Sequence, residues 1–430
     1  MFRRHWSGLP KDAEFPSDLK GLGYFVNDED EIRSIDNPDN YFKFHLDRNP
    51  RVNQRQAFEF NTAKCKIILD RLEKTGLEKI RLPLGASRVD KHVPILVSPD
   101  VRTKSRVVVI FGEPTKPLGL LAGRVANGPG GINKGSMVSV VQELQHQVSS
   151  ESDSSPPGIV IANPGELYWW PEGQKALNIT HSAGILLPSL VHAGRCYVEE
   201  LNDVPGNKTP EAHVEYVFDK VLGSMVDENA KLSLVTVGQS CELLTSFLDN
   251  MDNWHRWQGQ LDSMLLLGTV YPVDHLMNES FKDFLAKRSR GYITSPDPLD
   301  TPLAPPTGHP SEAIPPLGCP CYSSAEPFYI ETILISALKP ALGFLQHVAR
   351  TAHYENDEII VAEKPAREFN DEDWEKLSDG EKPSIGAVNP DAMKTLLRSA
   401  RRWRKFVETG NPPDSDSSSD EMEQAFDVWG

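Results

Sequence analysis

The stretch Leu232-Ser-Leu-Val-Thr-Val-Gly-Gln-Ser-Cys-Glu-Leu-Leu244 decides the fold class of this chain. Its apolar run, residues 232–237, predicts a buried strand because the run is short, rich in branched side chains and bounded by glycine. Gly238-Gln239-Ser240 then leads into a helix that we expect to begin near Cys241. This arrangement predicts a serine presented at the edge of a parallel sheet.

Three further apolar runs, residues 106–111, 158–162 and 261–270, predict buried strands. We expect helices between and after them, at residues 54–72, 136–147, 209–225 and 330–349. Thr209 is a plausible N-cap with Pro210 at the first helical position. Alternating strands and helices predict an α/β protein with a doubly wound, mostly parallel sheet. Loops at the carboxyl ends of its strands would meet at one edge, where sites form.

The turn Gly238-Gln-Ser-Cys-Glu242 resembles the nucleophile elbow of α/β hydrolases, in which a Gly-x-Ser-x-Gly turn presents the reactive serine. Ser240 is the candidate nucleophile. Glu242 replaces the second glycine, which is normally needed where strand and helix backbones approach closely. The resemblance therefore implies an α/β-hydrolase-like sheet with a degenerate site.

The loop after the strand at 106–111 contains a second feature that is unfavourable for acyl transfer. The oxyanion-loop positions are Gly112, Glu113 and, after the serine, Cys241. The carboxylates of Glu113 and Glu242 would place negative charge where a developing oxyanion needs hydrogen-bond donors. This sequence predicts a poor acyl-transfer site.

A serine nucleophile also requires a base. His275 follows the strand at 261–270 and is one candidate, and His309 in the proline-rich loop 294–321 is another. The favoured interpretation of each is a surface or capping histidine. We therefore expect Ser240 to be vestigial and the chain not to be an enzyme.

Metal and cofactor sites are not predicted. The Cys319-Pro-Cys321 pair lacks the second pair that a structural zinc site needs. His181 and His192 are not four residues apart. The glycine-rich segment 128–131 lacks the lysine of a phosphate-binding loop.

The composition of this 430-residue chain limits the classes of partner and the cellular locations that we expect. Its net charge of −16 disfavours direct, sequence-independent binding to nucleic acid. We expect no signal peptide and no transmembrane helix, because no apolar run is long enough. The five cysteines are scattered and odd in number, which favours a reducing compartment. We therefore expect a nuclear or cytoplasmic protein, not a secreted one.

Aromatic residues follow the strand at 158–162, in Leu167-Tyr-Trp-Trp-Pro171. Packing of Trp169 and Trp170 within the domain is the favoured interpretation. A partner surface is the alternative, and such rings also stack on bases in RNA-binding proteins.

The two ends of the chain differ in composition from its central part. Residues 1–14 form an N-terminal arm, 354–388 an acidic linker, 389–410 a basic amphipathic helix and 411–430 a disordered acidic tail. The helix has either a solvated charged face or a contact with nucleic acid or an acidic partner. Acids surround four serines that suit an acidophilic kinase, namely Ser415, Ser417, Ser418 and Ser419.

Several segments together resemble one family, the Argonaute-binding Arb2 domain. The matching segments are Phe15-Pro-Ser-Asp-Leu with Leu22-Gly-Tyr-Phe, Gly158-Ile-Val-Ile-Ala-Asn-Pro-Gly with Trp169-Trp170, Thr209-Pro-Glu-Ala-His-Val-Glu-Tyr-Val, the elbow at 235–241, and Ser295-Pro-Asp-Pro-Leu-Asp-Thr with Gly318-Cys-Pro. The family includes a fungal Argonaute siRNA chaperone subunit, the C-terminal domain of fungal class II histone deacetylases and animal cotranscriptional regulators. The resemblance implies an α/β-hydrolase-like domain over residues 15–353.

The same resemblance implies the function. Family members act in RNA silencing, in heterochromatin, or as a chromatin-binding and dimerising part of a deacetylase. Some animal members carry a His-Ser-x-Gly-Gly elbow and a late histidine just before a glutamate. Here Phe328, Tyr329 and Ile330 precede Glu331. We therefore expect a non-catalytic interaction module that binds Argonaute or a histone deacetylase complex, with a serine hydrolase and an RNA-binding factor as alternatives.

Overall fold

A mixed, mostly parallel sheet of nine strands forms the centre of the computed structural model, which describes residues 9–189, 197–268, 273–309, 314–359 and 361. The described residues belong to one compact unit, residues 1–362. The strands are β1 Tyr24–Val26, β2 Ile32–Ser34, β3 Glu78–Leu82, β4 Val93–Val97, β5 Arg106–Phe111, β6 Gly158–Ala162, β7 Tyr168–Trp170, β8 Lys175–Leu177, β9 Lys231–Val237, β10 Leu261–Leu267, β11 Ser289–Ile293, β12 Pro302–Ala304 and β13 Cys321–Ser323.

Helices connect and cover these strands. They are α1 Pro50–Lys74, α2 Gly123–Ala126, α3 Gly131–Lys134, α4 Met137–Gln145, α5 Ile179–Ala183, α6 Glu199–Asn202, α7 Pro210–Tyr216, α8 Gly223–Met225, α9 Ser240–Asp249, α10 Met251–Trp257, α11 Glu279–Arg288, α12 Ile333–Ser336 and α13 Leu338–Arg350. A π-helical segment, Val217–Leu222, joins α7 to α8. Thr209 caps α7 by accepting a hydrogen bond from Ala212 N–H, as the sequence predicts.

The order of strands across the sheet is β12-β13-β11-β10-β9-β5-β6-β4-β3. Neighbours from β6 through β5, β9, β10 and β11 to β13 are parallel, whereas β4 runs antiparallel to β6 and to β3. In the sheet, β6 lies on one side of β5. Strand β9, which comes later in the chain, lies on the other side of β5. The carboxyl ends of β5 and β9 therefore flank the point where the strand order reverses, which is where ligands bind in open α/β sheets.

Side chains alternate between two cores because successive residues of a strand face opposite sides of the sheet. On β5, Val108 and Ile110 face the core beneath α1, α4 and α13. Val109 and Phe111 face the second core, beneath α7, α9 and α11. Covering helices on both faces explain why the predicted strands are continuously apolar.

The structure corrects three boundaries. The strand predicted at 261–270 is β10 and ends at Leu267. The helix predicted at 330–349 is a 3-10 turn followed by α12 and α13, with a break at Ala337. Pro340 lies in the first turn of α13, where its missing N–H and its ring prevent continuation of the preceding helix. The proline-rich loop contributes the edge strand β12.

The linker beyond residue 361, the basic helix at 389–410 and the acidic tail lie outside the described residues, as do the four candidate phosphorylation sites. In the N-terminal arm, the Asp12 carboxylate forms an ion pair with Arg51 at 2.5 Å. No single described helix is long and apolar enough to cross a bilayer. The segments Ile330–Ser336 and Leu338–Arg350, bent by 67°, meet that test of length and composition only as a pair.

Candidate functional site

The turn after β9 is built on Gly238, whose φ is +60°. Gln239 is the N-cap of α9, and Ser240 is the first residue of that helix. A left-handed backbone favours glycine because a Cβ would crowd the following carbonyl. The structure therefore corrects the register of the turn, since Gly238 rather than Ser240 lies at the sharp strand-to-helix bend.

Glu113, from the loop after β5, fills this turn. Its Oε2 accepts a hydrogen bond from the backbone N–H of Gln239 at 3.0 Å. A Cβ built on Gly238 would lie 1.5 Å from the same oxygen. The carboxylate thus occupies the space into which a side chain at the bend would project. Burial raises the pKa of Glu113, and the Gln239 N–H and Lys116 oppose this shift.

Ser240 lies beside this pair but faces the loop. Its side chain is buried, and its hydroxyl donates a hydrogen bond to the carbonyl oxygen of Gly112 at 2.6 Å. The Cys241 N–H donates to the carbonyl of Gly238 at 3.1 Å, within the first turn of the helix. The Ser240 bond joins the loop after β5 to α9, and the Cys241 bond closes the turn itself. They are evidence against a free hydroxyl at Ser240 and a free N–H at Cys241, whose catalytic roles stay predictions.

The candidate bases do not contact Ser240. His275 is exposed on the 3-10 turn Val273–His275. His309 is buried, and its backbone N–H donates to Ile314. Within the described ranges, no imidazole is hydrogen-bonded to the Ser240 hydroxyl. Whether either histidine acts as a base stays a prediction.

The segment just before Glu331, where the resemblance implies a histidine base, holds Phe328, Tyr329 and Ile330 instead. Phe328 is 77% exposed, and the Arg124 guanidinium lies 3.8 Å from the centre of the Tyr329 ring. Ile330 lies against Gly268 at the end of β10, where an added Cβ would come within 2.3 Å of its Cγ2. None of these three residues provides the imidazole that usually serves as the base for a catalytic serine.

The Arb2 domain family model matches residues 15–299, which is more than half of the chain. This chain belongs to the Arb2 domain family. No curated protein shows significant similarity to it. The matched region of this Arb2 domain includes the Gly238 turn and the loop that carries Glu113.

His213 of this Arb2 domain is a buried positioning residue that the sequence patterns did not predict. Its Nε2 accepts a hydrogen bond from the backbone N–H of Asn163 at 3.0 Å, and its Nδ1 donates to Asn207 Oδ1 at 2.7 Å. These bonds hold α7 against the carboxyl end of β6. Burial lowers the pKa of His213 to about 3, so the ring is neutral near pH 7. The Pro-Glu-Ala-His segment at the start of α7 is the sequence feature from which a buried histidine could have been predicted.

The aromatic segment forms the hairpin of β7 and β8. Trp169 is 2% exposed and packs against Val93, Ala176 and Val204. Trp170 is half-buried, with its ring edge-on to Phe58 at 5.9 Å. The burial of Trp169 agrees with a packing role, and contact of either ring with a partner stays a prediction.

Of the cysteine pair, Cys321 is the first residue of β13 and Cys319 lies in the loop just before it. Cys319 and Cys321 are both buried, and the neighbouring Cys321 thiol and burial hold the pKa of Cys319 well above its usual value. Among the described residues, no group of three or more histidine, cysteine or acidic side chains is arranged to hold a metal ion.

Proposed function

We propose that this Arb2 domain is a non-catalytic, α/β-hydrolase-like protein-interaction module. The strand arrangement supports the hydrolase-like assignment, because a parallel series from β6 through β5, β9, β10 and β11 is preceded by the antiparallel β4. The strand-to-helix turn after β9 is also the place where such proteins present a nucleophile.

A single observation carries the non-catalytic part of the proposal. The Glu113 carboxylate accepts the Gln239 N–H, and Gly238 at the bend has no side chain. The N–H of the residue after the bend is the donor that would stabilise an oxyanion in a hydrolase of this fold. Because the Glu113 oxygen already accepts this N–H, the donor is not available to the substrate oxygen.

We propose Argonaute or a histone deacetylase complex as the partner, on the basis of the family and its sequence resemblances. The net charge of −16 suits a basic partner protein. The same proposal includes a nuclear or cytoplasmic location in a fungal cell. It also includes roles in siRNA silencing and heterochromatin, and the formation of a homodimer.

Fluorophosphonate labelling tests the absence of an activated serine. The full chain, its Ser240→Ala variant and an active serine hydrolase are treated together, and we expect labelling of the hydrolase alone. Labelling of the wild type that disappears in Ser240→Ala would establish the hydrolase alternative and refute the non-catalytic proposal.

Affinity purification from the native cell tests the partner. Tagged wild type and Ser240→Ala are expected to recover the same Argonaute or deacetylase subunits, because the hydroxyl serves only the fold. Loss of these subunits in a correctly folded Ser240→Ala variant, or their absence from both samples, would contradict the proposal.

An RNA-binding function is the remaining alternative and has its own test. Contacts with phosphates release counterions, so genuine RNA binding must weaken steeply as salt is raised. We expect no salt-sensitive binding of single-stranded RNA by the full chain. Tight binding that falls with salt and is lost on replacing Trp170 would favour the RNA-binding alternative.

A further inference from the structure

A cavity of about 310 Å³ opens between α1, β3, β4 and the β7–β8 hairpin, away from the Gly238 turn. It carries five basic side chains and two acidic ones in a chain whose net charge is −16. The basic residues are Lys66, Lys79, Arg81, Arg88 and Lys175, and the acidic ones are Asp70 and Glu166. A local excess of positive charge in an acidic protein concentrates anions at this cavity.

Several of these cations have no partner among the residues that the structure describes. Among the described residues, neither Lys66, Arg81 nor Arg88 forms an ion pair or a side-chain hydrogen bond. Lys79 differs, because its ammonium contacts Glu73 at 2.8 Å on the surface. Arg81 as a residue is partly buried, so an incoming anion would supply its guanidinium with interactions that the described part of the chain does not.

Lys175 forms the inner basic wall. Its ammonium lies 5.2 Å from the centre of the Phe58 ring and 5.6 Å from that of Trp170. Burial lowers the pKa of Lys175, and the nearby carboxylates of Glu166 and Glu59 oppose this shift. Glu166 is anchored separately, since its Oε2 accepts from Leu118 N–H and from Asn163 Nδ2, each at 3.0 Å.

Apolar groups complete the lining. Leu69, Pro94, Ala176 and Leu177 surround the cavity beside these charges. Small-molecule sites in proteins combine such apolar walls with a few polar groups that fix the orientation of the ligand. The cavity is too small for a folded partner and large enough for a ring with one acidic substituent.

We propose that this cavity binds a small organic anion whose acidic head group contacts Arg81, Arg88 and Lys175. Its apolar body, about the size of one aromatic ring, lies against Leu69 and Leu177. A carboxylate and a phosphate share the chemistry of the head group. The site is independent of Ser240 and of the proposed partners.

Isothermal titration of the full chain with four probes tests the ligand class. Phenyl phosphate and benzoate each carry both an acidic head group and an apolar ring. Benzyl alcohol carries only the apolar ring, and inorganic phosphate carries only the acidic head group. We expect phenyl phosphate or benzoate to bind at least about tenfold more tightly than either partial probe. The stronger of the two identifies the head group. Equal binding of benzyl alcohol, or no binding of either anion at about 1 mM, would overturn the proposal.

Charge-removing variants test the position. Arg81→Gln combined with Lys175→Gln should weaken the better probe by at least about tenfold. Lys220→Gln removes the same kind of charge from an exposed position on the π-helical segment and should change affinity by less than about twofold. Unchanged affinity in the double variant would overturn the proposed site.

The fold of each variant is checked by its melting temperature. Should the double variant unfold, Arg88→Glu provides the test, because Arg88 is exposed and its reversal leaves the core intact. Affinity must then fall below that of the wild type, and a retained affinity would overturn the proposal.

Discussion

The Glu113 carboxylate and the backbone N–H of Gln239 are joined by a 3.0 Å hydrogen bond across the carboxyl ends of β5 and β9. The two residues are far apart in the chain but adjacent in space, because their strands are neighbours in the sheet. This bond closes the point at which the strand order reverses, where an α/β protein normally binds its ligand.

A substitution of Gly238 should reveal the contact with Glu113. Gly238→Ala adds a Cβ in contact with the carboxylate and forces a left-handed φ, so we expect a loss of more than about 2 kcal/mol in unfolding free energy. In a Glu113→Ala background the loss should fall to about 1–2 kcal/mol, the backbone cost alone. Urea unfolding measures both.

Gly259→Ala is the matched control, because a Cβ there meets no atom within 4 Å. It should leave stability almost unchanged. Additive effects of the Gly238 and Glu113 substitutions would show that the two residues do not compete for the same space.

Glu113 should also affect the pH dependence of stability. Burial raises the pKa of Glu113 in the folded state, so folding favours its protonated form. This contribution is present at acidic pH and is lost as pH rises through the folded pKa. Glu113→Gln keeps an acceptor for the Gln239 N–H and does not titrate. We expect its stability relative to wild type to increase from acidic to neutral pH, and a constant difference would contradict this.

His213 should have the opposite effect. Its pKa falls from an ordinary 6.5 to about 3 on folding, so the unfolded chain binds the proton more strongly between these values. Stability should fall as pH decreases through this window, by up to about 1.4 kcal/mol per pH unit. His213→Gln should flatten this slope in urea titrations.

The Ser240 hydroxyl should contribute to stability rather than to chemistry. Ser240→Ala removes its bond to the Gly112 carbonyl and should cost about 0.5–1.5 kcal/mol. Ser246→Ala, on the exposed face of the same helix, should stay within about 0.5 kcal/mol of wild type. Thermal or urea unfolding distinguishes them, and equal effects would refute the structural role.

Substitutions of Trp169 and Trp170 should show which of the two rings stabilises the fold and which is available for contact with a partner. Trp169→Ala empties a buried position and should cost about 3–5 kcal/mol. Trp170→Ala should cost clearly less, because this ring is half-exposed. Urea unfolding of both variants provides the measurement. A similar cost for both would mean that neither ring is available to a partner.

The sequence by itself determined the α/β class, the central strands and the cap of α7. These features depend on local patterns, since apolar runs, a capping threonine and a following proline act within a few residues. The same patterns predicted that Glu113 is incompatible with oxyanion binding, although its partner could not be known.

Only the tertiary structure decided the details of the site. It placed Gly238 instead of Ser240 at the bend, because the exact end of β9 depends on its pairing with β5 and β10. It also brought Glu113 to Gln239 and His213 to Asn163, and it gathered the basic cavity from distant segments. Such contacts depend on which strands become neighbours, and local sequence patterns carry no information about that pairing.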